Sequence, residues 1–478
     1  PNFSGISELE QKAIFERLAP EYTVVMNEME EVKVPVSNKI CTEKEMRITG
    51  DELEYKTFFL DEYQVGQVND IGRGHRVILA NPGAGKSVLL LSKAFKYASM
   101  YKDSNILLTC YNSNLADSYC FKRSCANFGT DSNLHIMTFH KLVKKIYEEC
   151  LHARCADNIA TPEEIQNCIN LVKSGKLKLR FKAIFIDEVQ IFDPQYLELC
   201  YLLLEDAEDN TFLMAGDLNQ TVRKKSRRGD VPWKKIAGVT LDFTGRVKYI
   251  RKNYRNSKQI GLYLCHMLQH MNERMKMLNL IDFKELEYDS FEVGETKSLA
   301  LNVKTGIGRM DITKKTVDAI KEIAEKYKLS YSEIAVLFPY KQHDRIRYYN
   351  LYWLRQALDA EDIPYSMITS SRDGIFERKR YSDTNGVVLS TIDSSLGLDF
   401  KAVIVTGLYP YNYIYGDDFY KKEISSWNTI KGMNDDDQLQ VQSQMRAIYT
   451  ACSRARDVLY VLSDLKPGSP MEEILKNR

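Results

Sequence analysis

The stretch Arg76-Val77-Ile78-Leu79-Ala80-Asn81-Pro82-Gly83-Ala84-Gly85-Lys86-Ser87, running into Val88-Leu89-Leu90-Leu91, narrows the possible folds more than any other part of the chain. An apolar run becomes a glycine-bearing loop and then a run with helical spacing. It fits the phosphate-binding pattern Gly-x-x-x-x-Gly-Lys-Ser/Thr, with Ala80 in place of the first glycine. Gly83 and Gly85 let backbone N–H groups converge on phosphate oxygens with no Cβ in the way. A helix starting near Lys86 adds the positive end of its dipole. Lys86 is expected to reach the β- and γ-phosphates of ATP, and Ser87 to place its hydroxyl on Mg²⁺. Asn81, Pro82, Gly83, Ala84 and Gly85 form the rest of the cradle.

A second segment completes that chemistry. Ala183-Ile184-Phe185-Ile186-Asp187-Glu188-Val189-Gln190 is an apolar run ending in two carboxylates. A buried parallel strand that stops there presents both at the carboxyl edge of its sheet, where open α/β sheets bind ligands. Asp187 is expected to hold Mg²⁺ through water. Glu188 is expected to orient and deprotonate the attacking water.

Short β-branched runs alternate with amphipathic helices from about residue 58 onward, the mark of a parallel α/β sheet. Arg76–Leu79, Ile106–Thr109, Ala183–Ile186 and Thr211–Ala215 read as strands. Val247–Ile250, Ile334–Phe338, Val387–Ser390, Ala402–Thr406 and Val458–Leu462 read as a second series. The organisation expected is an N-terminal extension over 1–55, one lobe over 56–243 with a small insertion near 145–180, and a second lobe over 244–478. A chain of 478 residues has room for both cores.

Bulk charge does not announce a partner, since 66 Lys and Arg stand against 65 Asp and Glu. A local groove matters more than the total. The one dense basic cluster is Arg223, Lys224, Lys225, Arg227 and Arg228, which alone reads as a solvated loop. The ten cysteines include no pair at metal-ligand spacing, so reduced and mostly buried thiols are expected. His266 and His270 read as a helix-surface pair, and Asp435-Asp436-Asp437 as a solvated loop. No apolar run reaches bilayer length and Pro1-Asn2-Phe3-Ser4 begins no signal pattern, so a cytoplasmic protein without membrane contact is expected.

Asp187-Glu188-Val189-Gln190 after that phosphate loop resembles motif II of superfamily 1 helicases, specifically the UvrD/Rep-like group. Other segments follow in that family's order. Leu60-Asp61-Glu62-Tyr63-Gln64 resembles the Q motif, which implies that Gln64 reads adenine. Thr109-Cys110-Tyr111-Asn112-Ser113-Asn114-Leu115-Ala116 resembles motif Ia, which faces the nucleic-acid strand. Thr138-Phe139-His140 resembles a further family segment, and Gly216-Asp217-Leu218-Asn219-Gln220 resembles motif III, whose glutamine senses the γ-phosphate. Asn253-Tyr254-Arg255-Asn256-Ser257 implies that Tyr254 stacks on adenine and that Arg255 is an arginine finger. Thr391-Ile392-Asp393-Ser394-Ser395-Leu396-Gly397-Leu398-Asp399-Phe400 resembles motif V, with Asp399 on the ribose. Tyr449-Thr450-Ala451-Cys452-Ser453-Arg454-Ala455 resembles motif VI, with Arg454 as the second finger.

The resemblance implies two tandem RecA-like lobes of the P-loop NTPase type, sharing one ATP and one Mg²⁺. It implies an ATPase that moves along single-stranded DNA, or RNA, as its lobes open and close. The basic cluster follows motif III, where the family's strand track runs, so phosphate contact by Arg223, Lys224 and Lys225 is expected. Tyr111, Asn112, His140 and Trp233 are the other strand candidates, with simple packing as the alternative for the rings. Three features depart from the family. Motif V has Asp393 and Leu396 where relatives have His and Lys. Motif III lacks the aromatic continuation. The large insertions are reduced or missing, which implies translocation without efficient unwinding. A different class remains open: an ATP-driven switch or scaffold subunit in a multi-protein complex, such as repair or anti-phage defence, docked through residues 1–55.

Overall fold

The computed structural model describes residues 74–80, 83–125, 133–151, 159–205, 210–217, 246–250, 253, 255–278, 300–369, 379, 384–416 and 421–476. The expectations placed on residues 1–55, Gln64, Asn81, Pro82, Gln220, Arg223, Lys224, Lys225, Trp233 and Tyr254 lie outside those residues. The described residues fall into two units, the second beginning after Ile250 and also taking in Gly83, Ala84 and Asp217.

In the first unit, β1 (Gly74–Ala80) leads to α1 (Lys86–Met100), β2 (Ile106–Cys110), α2 (Ser113–Cys125) and β3 (Leu134–Thr138). There follow α3 (Phe139–Leu151), α4 (Pro162–Lys173), β4 (Ala183–Ile186), α5 (Pro194–Leu202), β5 (Thr211–Gly216) and β6 (Val247–Ile250). The strands form one parallel sheet in the order β3-β2-β4-β5-β1-β6. β2, β4 and β5 are buried at every position, as strands covered on both faces must be. The stretch expected to form a small insertion contains α4, whose start is set by Pro162 in its first turn and by a reciprocal cap. The Thr161 hydroxyl accepts the Glu164 N–H at 3.2 Å, and the Glu164 carboxylate accepts the Thr161 N–H at 2.7 Å.

Val247–Ile250 does not open the second sheet as the sequence suggested. It pairs in parallel with β1, Val77 opposite Val247 and Ala80 opposite Ile250. Its Ile250 is buried while Tyr249 is exposed, the mixed pattern of an edge strand.

The second unit starts with α6 (Lys258–Met277), β7 (Ala300–Lys304), α7 (Ile312–Tyr327), β8 (Ile334–Phe338), α8 (Asn350–Ala360) and β9 (Tyr365–Met367). It continues with β10 (Val387–Thr391), β11 (Phe400–Val405), a β12–β13 hairpin (Tyr413–Tyr415 and Lys421–Glu423), α9 (Trp427–Lys431), α10 (Asp435–Cys452), β14 (Ala455–Leu462) and α11 (Pro470–Lys476). The second parallel sheet runs β7-β14-β11-β8-β10-β9. One apolar cluster packs Leu264, Met267, Ile448 and Ile474 against one face, and another packs Ile320, Ile323, Leu354 and Leu358 against the other. The fold is therefore α/β, with two parallel six-stranded sheets flanked by helices in the manner of RecA-like lobes.

Asp435-Asp436-Asp437 is the first turn of α10 and not a loop. Asn434 caps it, its side chain accepting the Asp437 N–H at 2.8 Å, and the acidic turn complements the helix dipole. His270 bonds Glu473 at 3.1 Å, and His266 is exposed one turn away. Among the described residues no cysteine is in a disulfide, and no helix is long and apolar enough to cross a membrane.

Candidate functional site

Gly83 (φ 75°) and Gly85 (φ 82°) both occupy the left-handed region, which an L side chain rarely adopts. Gly85 is the N-cap of α1, so the loop hands directly to a helix N-terminus. Lys86 is 7% exposed, and its ammonium donates to the Ala80 carbonyl at 3.1 Å. Ser87 lies beside it on the first turn, and its hydroxyl donates to Asp187 Oδ2 at 2.7 Å. That bond joins α1 to the end of β4, although β5 separates β4 from β1 in the sheet.

Asp187 is fully buried at the carboxyl end of β4. Burial first, and then the neighbouring Glu188 charge, push its carboxyl above the usual range, while the hydroxyls of Tyr119 and Ser87 and the Lys86 charge oppose the shift. Its Oδ1 accepts the Glu188 N–H at 2.8 Å. Glu188 adopts φ 55° without being glycine, a conformation that costs about 1–3 kcal/mol and persists where its surroundings fix it. What fixes it is visible: the Gln190 side-chain amide donates to the Glu188 carboxylate. Gln190 in turn needs Gly216. A Cβ there would stand 2.4 Å from Gln190 Oε1 and 2.8 Å from Val189 Cγ1.

Sequence reasoning missed Tyr119. Its phenol on α2 donates to Asp187 Oδ2, the oxygen that also accepts Ser87. The only signal was its spacing from Leu115, one turn earlier on the buried face of α2, and that spacing reads as core.

One hydroxyl and one carboxylate, with a lysine beside them, form a hard-oxygen donor set. Such a set suits Mg²⁺, which keeps several waters and takes its remaining ligands from substrate phosphates. The residues present therefore fit ATP–Mg²⁺.

The second unit brings its own expected residues together. Asn253 Oδ1 accepts the N–H groups of Arg255 (2.9 Å) and Asn256 (3.0 Å). Asn256 Nδ2 donates to the Ser453 carbonyl at 3.1 Å, and the Ser257 N–H donates to the Arg456 carbonyl at 2.7 Å. The segment carrying Arg255 is thus fastened to the segment carrying Arg454. Asp399, expected on the ribose, lies 3.7 Å from both Arg255 Nε and Arg456 Nε. Gly83 clusters with this unit, and a Cβ on it would stand 2.5 Å from Asn253 Oδ1 and 2.7 Å from Arg255 Cβ.

Arg454 is 1% exposed. It donates to the carbonyls of Thr450 and Leu398 and to Ser453 Oγ, each at 3.2 Å, and so ties the last turn of α10 to the loop before β11. Arg446, on the same helix, was not singled out by the sequence. Burial lowers it to about 10, and the charge of Asp217 partly offsets that shift.

Among the strand candidates, Tyr111 and His140 meet edge to face at 5.1 Å between centroids. His140 is 7% exposed, rests against Phe139 and Tyr196, and accepts the Ala160 N–H at 3.2 Å. This is packing geometry. Asn112 is half-buried, and its Oδ1 accepts the Asn114 N–H at 2.8 Å at the start of α2.

Residues 64–225 match the family model of an AAA domain. This part of the chain is a P-loop NTPase domain. The match takes in the phosphate loop, Tyr119, Asp187, Glu188, Gln190 and Gly216. No curated protein matches the chain. A P-loop domain implies nucleotide binding.

Proposed function

We propose that the chain is an ATP-driven translocase on single-stranded nucleic acid, DNA in preference to RNA, of the superfamily 1 helicase kind. The observation that carries this reading is the bonded series Ser87, Asp187, Glu188 and Gln190, which begins on the first turn of the helix that follows the phosphate loop. It links the residues suited to a cation with the residue suited to take a proton from water.

In this reading Lys86 balances charge on the β- and γ-phosphates. Mg²⁺, held by Ser87 and through water by Asp187, supplies further neutralising charge when bound with ATP. Glu188 orients the attacking water and receives its proton, and Gln190 keeps the Glu188 carboxylate aimed. Gln64 and Tyr254 bind adenine, Asp399 meets the ribose, and Gln220 senses the γ-phosphate. Arg255 and Arg454 place positive charge on the transferring phosphoryl group. For Arg454 that role requires giving up hydrogen bonds within its own unit, among them those to Thr450, Leu398 and Ser453. Tyr111, Asn112, Arg223, Lys224, Lys225 and Trp233 are the proposed strand contacts, with His140 packed against Tyr111 as its support.

One observation favours a second reading. Leu396, where relatives carry a polar residue, is 1% exposed and offers nothing to a strand. An ATP-driven switch in a multi-protein complex, docked through residues 1–55, has no need of that contact.

ATP turnover measured in parallel with single-stranded DNA, duplex DNA and RNA at fixed salt separates the two. The translocase reading expects low basal turnover that rises with single strands. A flat response to all three would sink it in favour of the switch. Glu188→Gln should keep ATP binding while turnover drops roughly 10²–10⁴-fold, because only the base is lost.

A further inference from the structure

We infer that Tyr119 is a positioning residue for the divalent cation: its phenol holds the Asp187 carboxylate in the orientation that accepts the Ser87 hydroxyl. The inference deepens the ATPase reading above and rests on it.

Tyr119 is 1% exposed on α2, with Leu115 buried one turn before it. A buried tyrosine ring can be accounted for by packing alone, but its hydroxyl must also find an acceptor. Here the acceptor is Asp187 Oδ2. The same oxygen accepts Ser87 Oγ at 2.7 Å, and Oδ1 accepts the Glu188 N–H at 2.8 Å. Three donors, one on α1, one on α2 and one on the adjoining backbone, therefore grip one carboxylate. Turning the group about its Cβ–Cγ bond would break bonds at both oxygens of a fully buried side chain, where leaving donors unpaired is costly.

The consequence for a cation follows from the Ser87 proton. With that proton committed to Asp187, the Ser87 oxygen keeps its lone pairs for a metal ion. If the carboxylate swung away, the hydroxyl would lose its acceptor and its orientation together. Tyr119 need touch neither nucleotide nor metal. It acts through Asp187, as outer-shell partners of metal ligands do, and removing such partners changes metal affinity by about 10–100-fold.

Tyr119→Phe keeps the ring and deletes the hydroxyl. The probe is Mn²⁺, followed by electron paramagnetic resonance and titrated into the full chain with a non-hydrolysable ATP analogue. A fluorescent ATP analogue without divalent metal is titrated alongside. The expected result is about 10-fold weaker Mn²⁺ binding in Tyr119→Phe, with metal-free nucleotide binding unchanged. Equal or tighter Mn²⁺ binding would overturn the inference, since a ring that merely packs is preserved by phenylalanine. Loss of metal-free nucleotide binding would also overturn it, because the hydroxyl would then be holding the fold. A wild-type chain that binds nucleotide but gives no Mn²⁺ contrast defeats only this inference. A wild-type chain that binds no nucleotide defeats the ATPase reading with it.

Discussion

Glu188 is set by the residues that surround its carboxylate more than by its own backbone. Its left-handed conformation is unfavourable, yet Gln190 bonds the carboxylate and the Glu188 N–H bonds Asp187. Gly216 leaves the space in which Gln190 can do this. Gly216→Ala should therefore act on chemistry at a distance. The added methyl would meet Gln190 Oε1 and Val189 Cγ1, both inside 3 Å, and displace the amide. Overpacking of this kind costs about 1–3 kcal/mol of stability. A misplaced base costs turnover about 10²-fold, while Lys86 and Ser87 still bind nucleotide. Steady-state kinetics beside nucleotide binding would check this; turnover within twofold of wild type would show that Gln190 does not hold the base.

At the scale of elements, the carboxyl ends of the second sheet's strands are braced by a buried acid. Asp464, just past β14, accepts the Tyr348 hydroxyl, and its Oδ1 accepts the Tyr409 N–H at 2.8 Å. Burial pushes its carboxyl up to about 6, against the pull of those bonds. The folded chain thus holds this proton more tightly than the unfolded chain does. The stability it contributes is present at low pH and is lost as pH rises from about 4 through about 6, amounting to about 3 kcal/mol. Asp464→Asn should flatten that loss in urea unfolding followed from pH 4 to 7; an unchanged slope would remove Asp464 as its source. The central strands β2, β4, β5, β8, β10, β11 and β14 read as continuous apolar runs because helices cover both their faces. β3, β7 and β9, which the sequence did not disclose, are all sheet edges, and β6, assigned to the wrong sheet, is the fourth. An edge strand is short or half-exposed and needs only one neighbour, so its pattern is weak. Lys86, Ser87, Asp187 and Glu188 were legible because each sits inside a contiguous motif at a strand end. Tyr119 was not, because its partner is 68 residues away and its spacing matches ordinary core.

For the whole molecule the decisive quantity is where its charge lies. With a formal net charge of +1, long-range attraction to a polyanion is weak, so any strand affinity must come from local cations. Counterion release then gives a count. Each phosphate neutralised on a single strand contributes a slope of about −0.7 to log affinity against log salt. If Arg223, Lys224 and Lys225 each meet a phosphate, replacing all three with alanine should make that slope shallower by about 2. If they are a solvated loop, affinity and slope should both stay as they are, since distant surface charges are screened within about 10 Å at 0.1 M salt. Fluorescence anisotropy with a labelled single strand, taken between low and moderate salt, reads the difference directly. A large loss of affinity with no change in slope would point to a folding defect in the triple variant and deny the cluster its phosphate contacts.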